Sequence, residues 1–215
     1  MASKSEIEHA KKVFSILKKK YPAAKIALEF KSPFELLIAT ILSAQCTDER
    51  VNIVTKSLFK KYRKPEDYLK VPIEEFEKDI YSTGFYHQKA KSIINCCREL
   101  IERYNGKVPK DFEALNKLAG VGRKTASVVA GNAFGTPSIA VDTHVKRLSN
   151  RLGFIKSEDP VKIEMRLKEL LPEKDWINSS HWLMSHGRKI CNAKKPKCKE
   201  CPVADICPSF EIFVN

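Results

Sequence analysis

Four of the seven cysteines stand close together near the end of the sequence. Cys191, Cys198, Cys201 and Cys207 are separated by six, two and five residues. Four thiolates at this spacing can wrap one soft metal centre, either a tetrahedral zinc ion or a [4Fe–4S] cluster. Zinc sites more often contain two Cys-x-x-Cys pairs, and this group contains one, but spacing alone leaves both metals open. The remaining cysteines are predicted to be small buried residues: Cys46, Cys96 and Cys97.

A glycine-containing segment, 118–126, joins two predicted helices by a very short turn. Gly120 and Gly122 allow positive φ angles and a close approach of the backbone to another group. The second helix would begin with its free N–H groups beside Arg123, and this combination suits a phosphate. The segment therefore predicts a helix-hairpin-helix DNA-binding element, with an ordinary tight turn as the alternative.

Lys124 lies on the first turn of that second helix. The positive end of the helix and the neighbouring Arg123 favour an uncharged, nucleophilic amine, whereas the simpler role is a solvated surface lysine. Asp142 follows in the segment 139–144 at the predicted N-cap of the next helix. Capping is the simplest role for Asp142, and it is compatible with a second, catalytic role.

The charge balance favours a polyanionic partner. The 215 residues include 39 Lys and Arg against 26 Asp and Glu, which gives a net charge of +13. Nucleic acid is the commonest partner of so basic a chain, although a soluble basic protein is the alternative. No apolar run approaches the roughly 20 residues that span a bilayer, and no apolar signal segment opens the sequence. We therefore expect no membrane association and an intracellular location, either cytoplasmic or with the nucleoid.

Helices must position these groups, because the apolar residues follow the helical period almost throughout. No segment alternates convincingly as a strand, and the helical period disappears after about residue 188. The predicted helices span 5–20, 33–43, 48–62, 65–70, 72–80, 86–104, 111–117, 123–133, 142–151, 160–171 and 176–188.

Together these segments resemble the endonuclease III family over residues 10 to 207. The resemblance rests on the cysteine spacing and on four segments in this order: 42–48 (LSAQCTD), 118–126 (LAGVGRKTA), 139–144 (IAVDTH) and 181–188 (HWLMSHGR). It implies an all-α, two-lobed helix-hairpin-helix glycosylase fold. A six-helix barrel would span 26–136, and 1–25 with 137–215 would form a lobe that carries a [4Fe–4S] cluster on the four cysteines. DNA would bind across the cleft between the lobes.

The resemblance also implies roles for individual residues. Lys124 and Asp142 match the catalytic lysine and aspartate of the family. Gln45 matches the residue that fills the gap left by a flipped nucleotide, Phe85 falls where the family has an apolar wedge, and His144 falls near the DNA strand. The further residues expected to contact DNA are Gly120, Gly122, Arg123, Lys194, Lys195, Lys197 and Lys199.

Two positions depart from the family pattern. Ala119 replaces a common proline before the hairpin, which predicts a less stiff turn. Asn116 stands where some members have an acidic residue, so an acid–base role at this position is not expected.

The activity that the resemblance implies is that of a bifunctional DNA glycosylase and AP lyase. It would excise oxidised pyrimidines and nick the strand by β-elimination, acting as a monomer on double-stranded DNA with a damaged base or an abasic site. Two alternatives are a mismatch-specific glycosylase and a DNA-binding module without chemistry. The first typically lacks the lysine found at position 124, and the second has no need of Lys124 and Asp142 together.

Overall fold

Helices provide the regular structure of residues 2–214, the part of the chain that the computed structural model describes. No β-strand occurs within that range, so the predicted all-α fold class is confirmed. The α-helices are α1 (Lys4–Lys20), α2 (Pro33–Leu42), α3 (Asp48–Lys61), α4 (Pro65–Lys70), α5 (Ile73–Ile80), α6 (Tyr86–Tyr104), α7 (Phe112–Asn116), α8 (Arg123–Phe134), α9 (Thr143–Arg151), α10 (Pro160–Leu170), α11 (Trp176–Lys189) and α12 (Phe210–Val214).

Local chemistry fixes many helix ends close to their predicted positions. Ser32 caps α2, because its Oγ accepts a hydrogen bond from the N–H of Glu35 at 3.1 Å, and Pro33 occupies the first helical turn. At the other end of a helix, α6 stops at Asn105, which has a φ of 55°, and Gly106 follows with a φ of 73°.

Residues Ala27–Thr136 form one of two units of the chain, and this middle unit contains α2 to α8. Its central helix is α2, whose residues from Leu36 to Leu42 are all buried. A helix buried over so many consecutive residues requires neighbours on every side. These neighbours are α3, α6 and α8.

The second unit combines the residues up to Ile26 with those from Pro137 onwards. In this terminal unit α1 packs against α10 and α11 through the apolar face that contains Ala10, Val13, Phe14 and Leu17. The ring of Phe14 stacks on that of Phe154 with the centroids 5.4 Å apart. The N-terminal helix therefore completes a core that the last third of the chain supplies.

The region after residue 188 is less irregular than its sequence suggests. It contains 3₁₀ turns at Cys198–Glu200 and Ala204–Ile206, and the short helix α12, which the sequence pattern did not predict. Among the remaining cysteines, Cys96 and Cys97 are buried as expected, but Cys46 is partly exposed because it lies in the turn after α2. Within the described residues, no helix is long and apolar enough to cross a membrane.

Candidate functional site

The turn between α7 and α8 has the features of a type II turn. The N–H of Val121 donates to the carbonyl of Leu118 at 3.0 Å, and Gly120 has the positive φ, 74°, that this turn requires at its third residue. A Cβ at Gly120 would lie 2.7 Å from the Cβ of Ser92 on α6. Glycine at position 120 therefore satisfies both the backbone conformation of the turn and its close packing against α6.

Gly122 differs from Gly120 in its conformation. Its φ is −84° with extended backbone, so Gly122 does not use the positive φ that a glycine allows. A Cβ there would meet nothing within 4 Å, because the space outside the residue is open. Gly122 is the N-cap residue of α8, and no side chain caps this helix end. The first N–H groups of α8 can therefore reach an anion. Arg123 is the first residue of α8, and its guanidinium lies 5.0 Å from the ring of Phe112.

Ala119 is held in place by a bond that a proline could not form. Its N–H donates to Oε2 of Glu99 on α6 at 2.9 Å. Proline is common at the second residue of a type II turn because its ring presets φ, but it has no N–H to donate. Here a hydrogen bond restrains the turn instead, which is a second contact between the hairpin and α6.

Lys124 and Asp142 occupy the first turns of two different helices. Lys124 is exposed on α8 in the middle unit. Asp142 is partly buried in the terminal unit and caps α9, since its Oδ1 accepts from the N–H of Val145 at 2.8 Å. The capping role that the sequence suggested for Asp142 is therefore present.

His144 is the second residue of α9, and its ring is held by Arg147. Nη2 of Arg147 lies 3.1 Å from Nδ1 of His144. A guanidinium only donates, so Nδ1 is the acceptor and the ring proton is on Nε2. Burial lowers the pKa of His144, and the charges of Arg147 and Arg188 add to this effect against the opposing influence of Asp142. The imidazole is therefore neutral at pH 7, with an N–H donor for a ligand.

The close approach of α11 to His144 depends on Gly187. A Cβ at Gly187 would lie 2.8 Å from Nδ1 of His144 and 3.1 Å from Nη2 of Arg147. Arg147 also donates to the carbonyl of Gly187 at 3.1 Å. A larger residue at position 187 would displace the hydrogen bond that fixes the imidazole.

Gln45 and Phe85 share an uncommon backbone conformation in the middle unit. Their φ angles are 53° and 48°, in the left-handed region that costs a non-glycine residue about 1 kcal/mol or more. Both side chains are exposed, and Phe85 exposes 64% of its surface. Strained residues that present a side chain to solvent are typical of binding sites.

The four clustered cysteines border a single cavity, together with apolar residues that include Leu152, Ile190 and Phe210. Burial, with a contribution from the neighbouring cysteines, raises the pKa of Cys201 to about 11 and also raises the pKa values of Cys198 and Cys207. Thiolates in such surroundings need positive charge nearby, which metal ions supply. Within residues 2–214, however, no three His, Cys, Asp or Glu side chains are grouped to hold one metal ion.

Side chains from α9 and α11 contact these thiols. Nη1 of Arg151 lies 3.4 Å from the sulfur of Cys191, and Nε2 of His186 lies 3.5 Å from the sulfur of Cys201. The other ring nitrogen of His186 contacts the hydroxyl of Tyr21 at 3.0 Å. Hydrogen bonds of this kind to sulfur ligands are a means by which proteins adjust iron–sulfur centres.

Two arginines that the sequence argument missed hold the loop after α11. Arg147 donates to the carbonyl of Cys191 at 3.0 Å, and Arg151 donates to the carbonyls of Asn192 and Ala193, each at 2.7 Å. Their spacing of four residues on α9 puts both on one face, and this was the available signal. The loop exposes the basic residues that were predicted to contact phosphates: Lys194, Lys195, Lys197 and Lys199.

Comparison with known proteins relates this chain to DNA repair enzymes. Residues 38–173 match the family described as the HhH-GPD superfamily base excision DNA repair protein. Endonuclease III of Synechocystis sp. is 50% identical over 98% of this chain and 96% of its own length. Endonuclease III of Bacillus subtilis is 51% identical over 87% of this chain and 86% of its own length.

Solved structures agree with these relatives. A non-covalent complex of endonuclease III with DNA has a TM-score of 0.93 at 46% identity, and the match covers 99% of this chain and 98% of the other. A thermostable thymine-DNA glycosylase has a TM-score of 0.85 at 28% identity, over 95% and 98% of the two chains.

Proposed function

Because the chain belongs to the endonuclease III family, we propose that it is a bifunctional DNA glycosylase and AP lyase that excises oxidised pyrimidines from double-stranded DNA. The observation that carries this proposal is the exposed amine of Lys124 on the first turn of α8, beside an uncapped helix N-terminus that suits a phosphate. The partner is duplex DNA with a damaged base or an abasic site, and the protein acts as a monomer in the cytoplasm or on the nucleoid.

Access to the lesion requires that the nucleotide leave the stack, at a cost of a few kcal/mol. Gln45 and Phe85 offset this cost by occupying the vacated space in the duplex. The first N–H groups of α8, with Gly120 and Gly122 in the turn before them, bind a backbone phosphate together with Arg123. The neutral ring of His144 donates from Nε2 to the strand near the lesion.

The chemistry begins when the amine of Lys124 attacks C1′ of the flipped nucleotide. The bond from C1′ to the base breaks, and the base leaves with the bonding electron pair and takes a proton from water. Asp142 stabilises the cationic character of the sugar and takes up the proton that the attacking nitrogen loses. The sugar ring opens to a Schiff base between Lys124 and C1′. Loss of a proton from C2′ then breaks the C3′–O3′ bond, which cuts the strand on the 3′ side of the lesion.

We propose that the cysteine cavity holds a [4Fe–4S] cluster, because the chemistry of its four cysteines suits this group. Cys191, Cys198, Cys201 and Cys207 would hold it, since all four border one cavity and thiolates are the ligands that iron–sulfur clusters require. When bound, the cluster supplies cross-links that order the loop. The loop then presents its four lysines to DNA phosphates, with Arg147 and Arg151 of α9 holding its backbone.

The cluster is tested by the metal content of the purified protein. Anaerobically prepared protein should be yellow-brown and contain about four irons per chain. Cys201→Ser should lower the iron content, whereas Cys97→Ser, which replaces a cysteine outside the group, should leave it unchanged. Stoichiometric zinc without iron would instead favour the zinc alternative.

The role of Lys124 is tested by trapping its covalent intermediate. Borohydride should reduce the Schiff base on a duplex with thymine glycol and leave a protein–DNA adduct. Lys124→Gln should abolish the adduct and the nick while changing affinity for undamaged duplex only slightly, because one charge among many is lost. The Lys117→Gln variant lacks another exposed lysine of the hairpin and serves as the control. It should form the borohydride-reduced adduct at the wild-type rate.

Two outcomes would contradict this assignment. Free base without an adduct or a nick would support a mismatch-type glycosylase, the alternative favoured by the similarity to a thymine-DNA glycosylase. An adduct that forms at the wild-type rate in Lys124→Gln would show that another amine is the nucleophile.

A further inference from the structure

Lys89 on α6 is a buried lysine that the proposed mechanism does not use. Only 5% of its surface is exposed. Its Nζ donates to the carbonyl oxygens of Leu42 and Thr83, each at 2.8 Å. Lysine is almost never buried without compensation, because removal of an ammonium from water is costly. The contacts of the Lys89 ammonium must therefore offset the cost of its burial.

The two carbonyls belong to the ends of two separate elements. Leu42 is the last residue of α2, and Thr83 is the last residue of the 3₁₀ turn Tyr81–Thr83. Carbonyls at helix C-termini lack partners within the helix and carry partial negative charge. Lys89 satisfies one carbonyl at each end, so a single side chain fixes the distance between these two ends.

Each of these ends leads directly into a residue that we assign to stack filling. Gln45 follows Leu42 by three residues, and Phe85 follows Thr83 by two. Both have left-handed φ angles, 53° and 48°, which persist only where the surroundings hold the backbone in place. The two carbonyls that Lys89 binds therefore lie directly before the two strained turns, those that contain Gln45 and Phe85.

We infer that Lys89 is a positioning residue that sets the spacing of the Gln45 and Phe85 turns, so that both side chains enter the duplex together. This inference rests on the roles proposed above for Gln45 and Phe85. Lys89 acts through the backbone of both turns and does not touch DNA, because its ammonium is buried and donates to two protein carbonyls.

A double-mutant cycle tests the inference. Lys89→Met keeps an unbranched side chain, one atom shorter than that of lysine, but offers no donor. It should slow single-turnover base release from a thymine glycol duplex by about tenfold to a hundredfold, because small displacements of positioning groups are costly. Its affinity for undamaged duplex should change less than about twofold, since a buried ammonium neutralises no phosphate. Lys91→Met, an exposed lysine on the same helix, should match the wild type in both assays.

The decisive measurement repeats Lys89→Met in a protein that already carries Gln45→Ala and Phe85→Ala. If Lys89 acts only through these two side chains, its replacement should then change the rate by less than about twofold. An equal loss in both backgrounds would show a general structural role and overturn the inference, as would a wild-type rate for Lys89→Met alone. A wild-type rate for the Gln45→Ala, Phe85→Ala protein would overturn the proposed stack filling itself, and the role of Lys89 with it.

If the Lys89→Met protein does not fold, the Lys89→Gln variant takes its place in the same double-mutant cycle. The glutamine side chain is one atom shorter and retains an N–H₂ donor that can satisfy one carbonyl. An intermediate loss that vanishes in the Gln45→Ala, Phe85→Ala background supports the inference, and a loss that persists there overturns it.

Discussion

Asp142 combines a structural and a proposed chemical role in one carboxylate. Its Oδ1 accepts the N–H of Val145 and so caps α9, which also carries His144. The cap fixes the start of a helix whose later residues hold the cysteine loop. A mutation of Asp142 therefore changes two properties at once, and the choice of substituent separates them.

Substitutions that differ in capping ability resolve the two roles of Asp142. Asp142→Asn keeps a capping oxygen and should retain stability while base release slows by about a hundredfold or more, because the negative charge is lost. Asp142→Ala should show the same slowing and also lose about 1 kcal/mol of unfolding free energy. Urea unfolding and single-turnover kinetics measure the two effects. A normal rate for Asp142→Asn would exclude the catalytic role.

The hairpin between α7 and α8 shows how one element compensates for an unusual residue. The sequence predicted a less stiff turn at Ala119, where relatives commonly have proline. The structure instead has a hydrogen bond from Ala119 to Glu99, and a Cβ at Gly120 would lie 2.7 Å from the Cβ of Ser92. Both contacts lie on α6, so this helix supports the turn from which α8 and Lys124 begin.

Glu99 should therefore stabilise the hairpin only as long as residue 119 has an N–H. Glu99→Leu should lower the free energy of unfolding by about 1–2 kcal/mol, because a partly buried donor loses its partner. In an Ala119→Pro background the same substitution should cost much less, since proline has no N–H. Glu102→Leu, at an exposed position of the same helix, serves as the control. An equal cost in both backgrounds would contradict this account.

The elements themselves could largely be predicted from the sequence. The caps at Ser32 and Asp142 and the stop at Asn105 are local signals, and they lie where the pattern predicted helix ends. The contacts of Lys89, Glu99 and Arg147 could not be predicted in this way. Each joins residues far apart in the sequence, so no spacing within one helix reveals its partner. The short helix α12 was also missed, because the sequence of the cysteine loop shows no helical period.

At the scale of the whole molecule, excess positive charge determines how the protein meets DNA. The net charge is +13, and both units contribute exposed or partly exposed cations, with Arg123 in the middle unit and the lysines of the cysteine loop in the terminal unit. Binding to undamaged duplex should therefore be mainly electrostatic, driven by the release of counterions.

The dependence of affinity on salt measures this contribution. Log affinity for undamaged duplex should fall linearly with log salt concentration. Lys195→Ala and Lys197→Ala should each reduce the slope by roughly one, because each removes about one phosphate contact. Lys12→Ala, on the exposed side of α1, should leave the slope unchanged. An affinity that does not depend on salt would exclude this mode of binding.

The terminal unit has a consequence for the order of events during synthesis, because its two parts lie on either side of the middle unit in the sequence. The apolar face of α1 leaves the ribosome long before α10 and α11, which it packs against. At about 5–20 residues per second, the interval is roughly ten to thirty seconds. The middle unit can fold in that time, whereas α1 must wait with Phe14 and Leu17 uncovered, where a chaperone can bind them. The cysteines that we propose as cluster ligands follow α11 in the sequence, so the proposed cluster would be assembled only after α10 and α11 have been made.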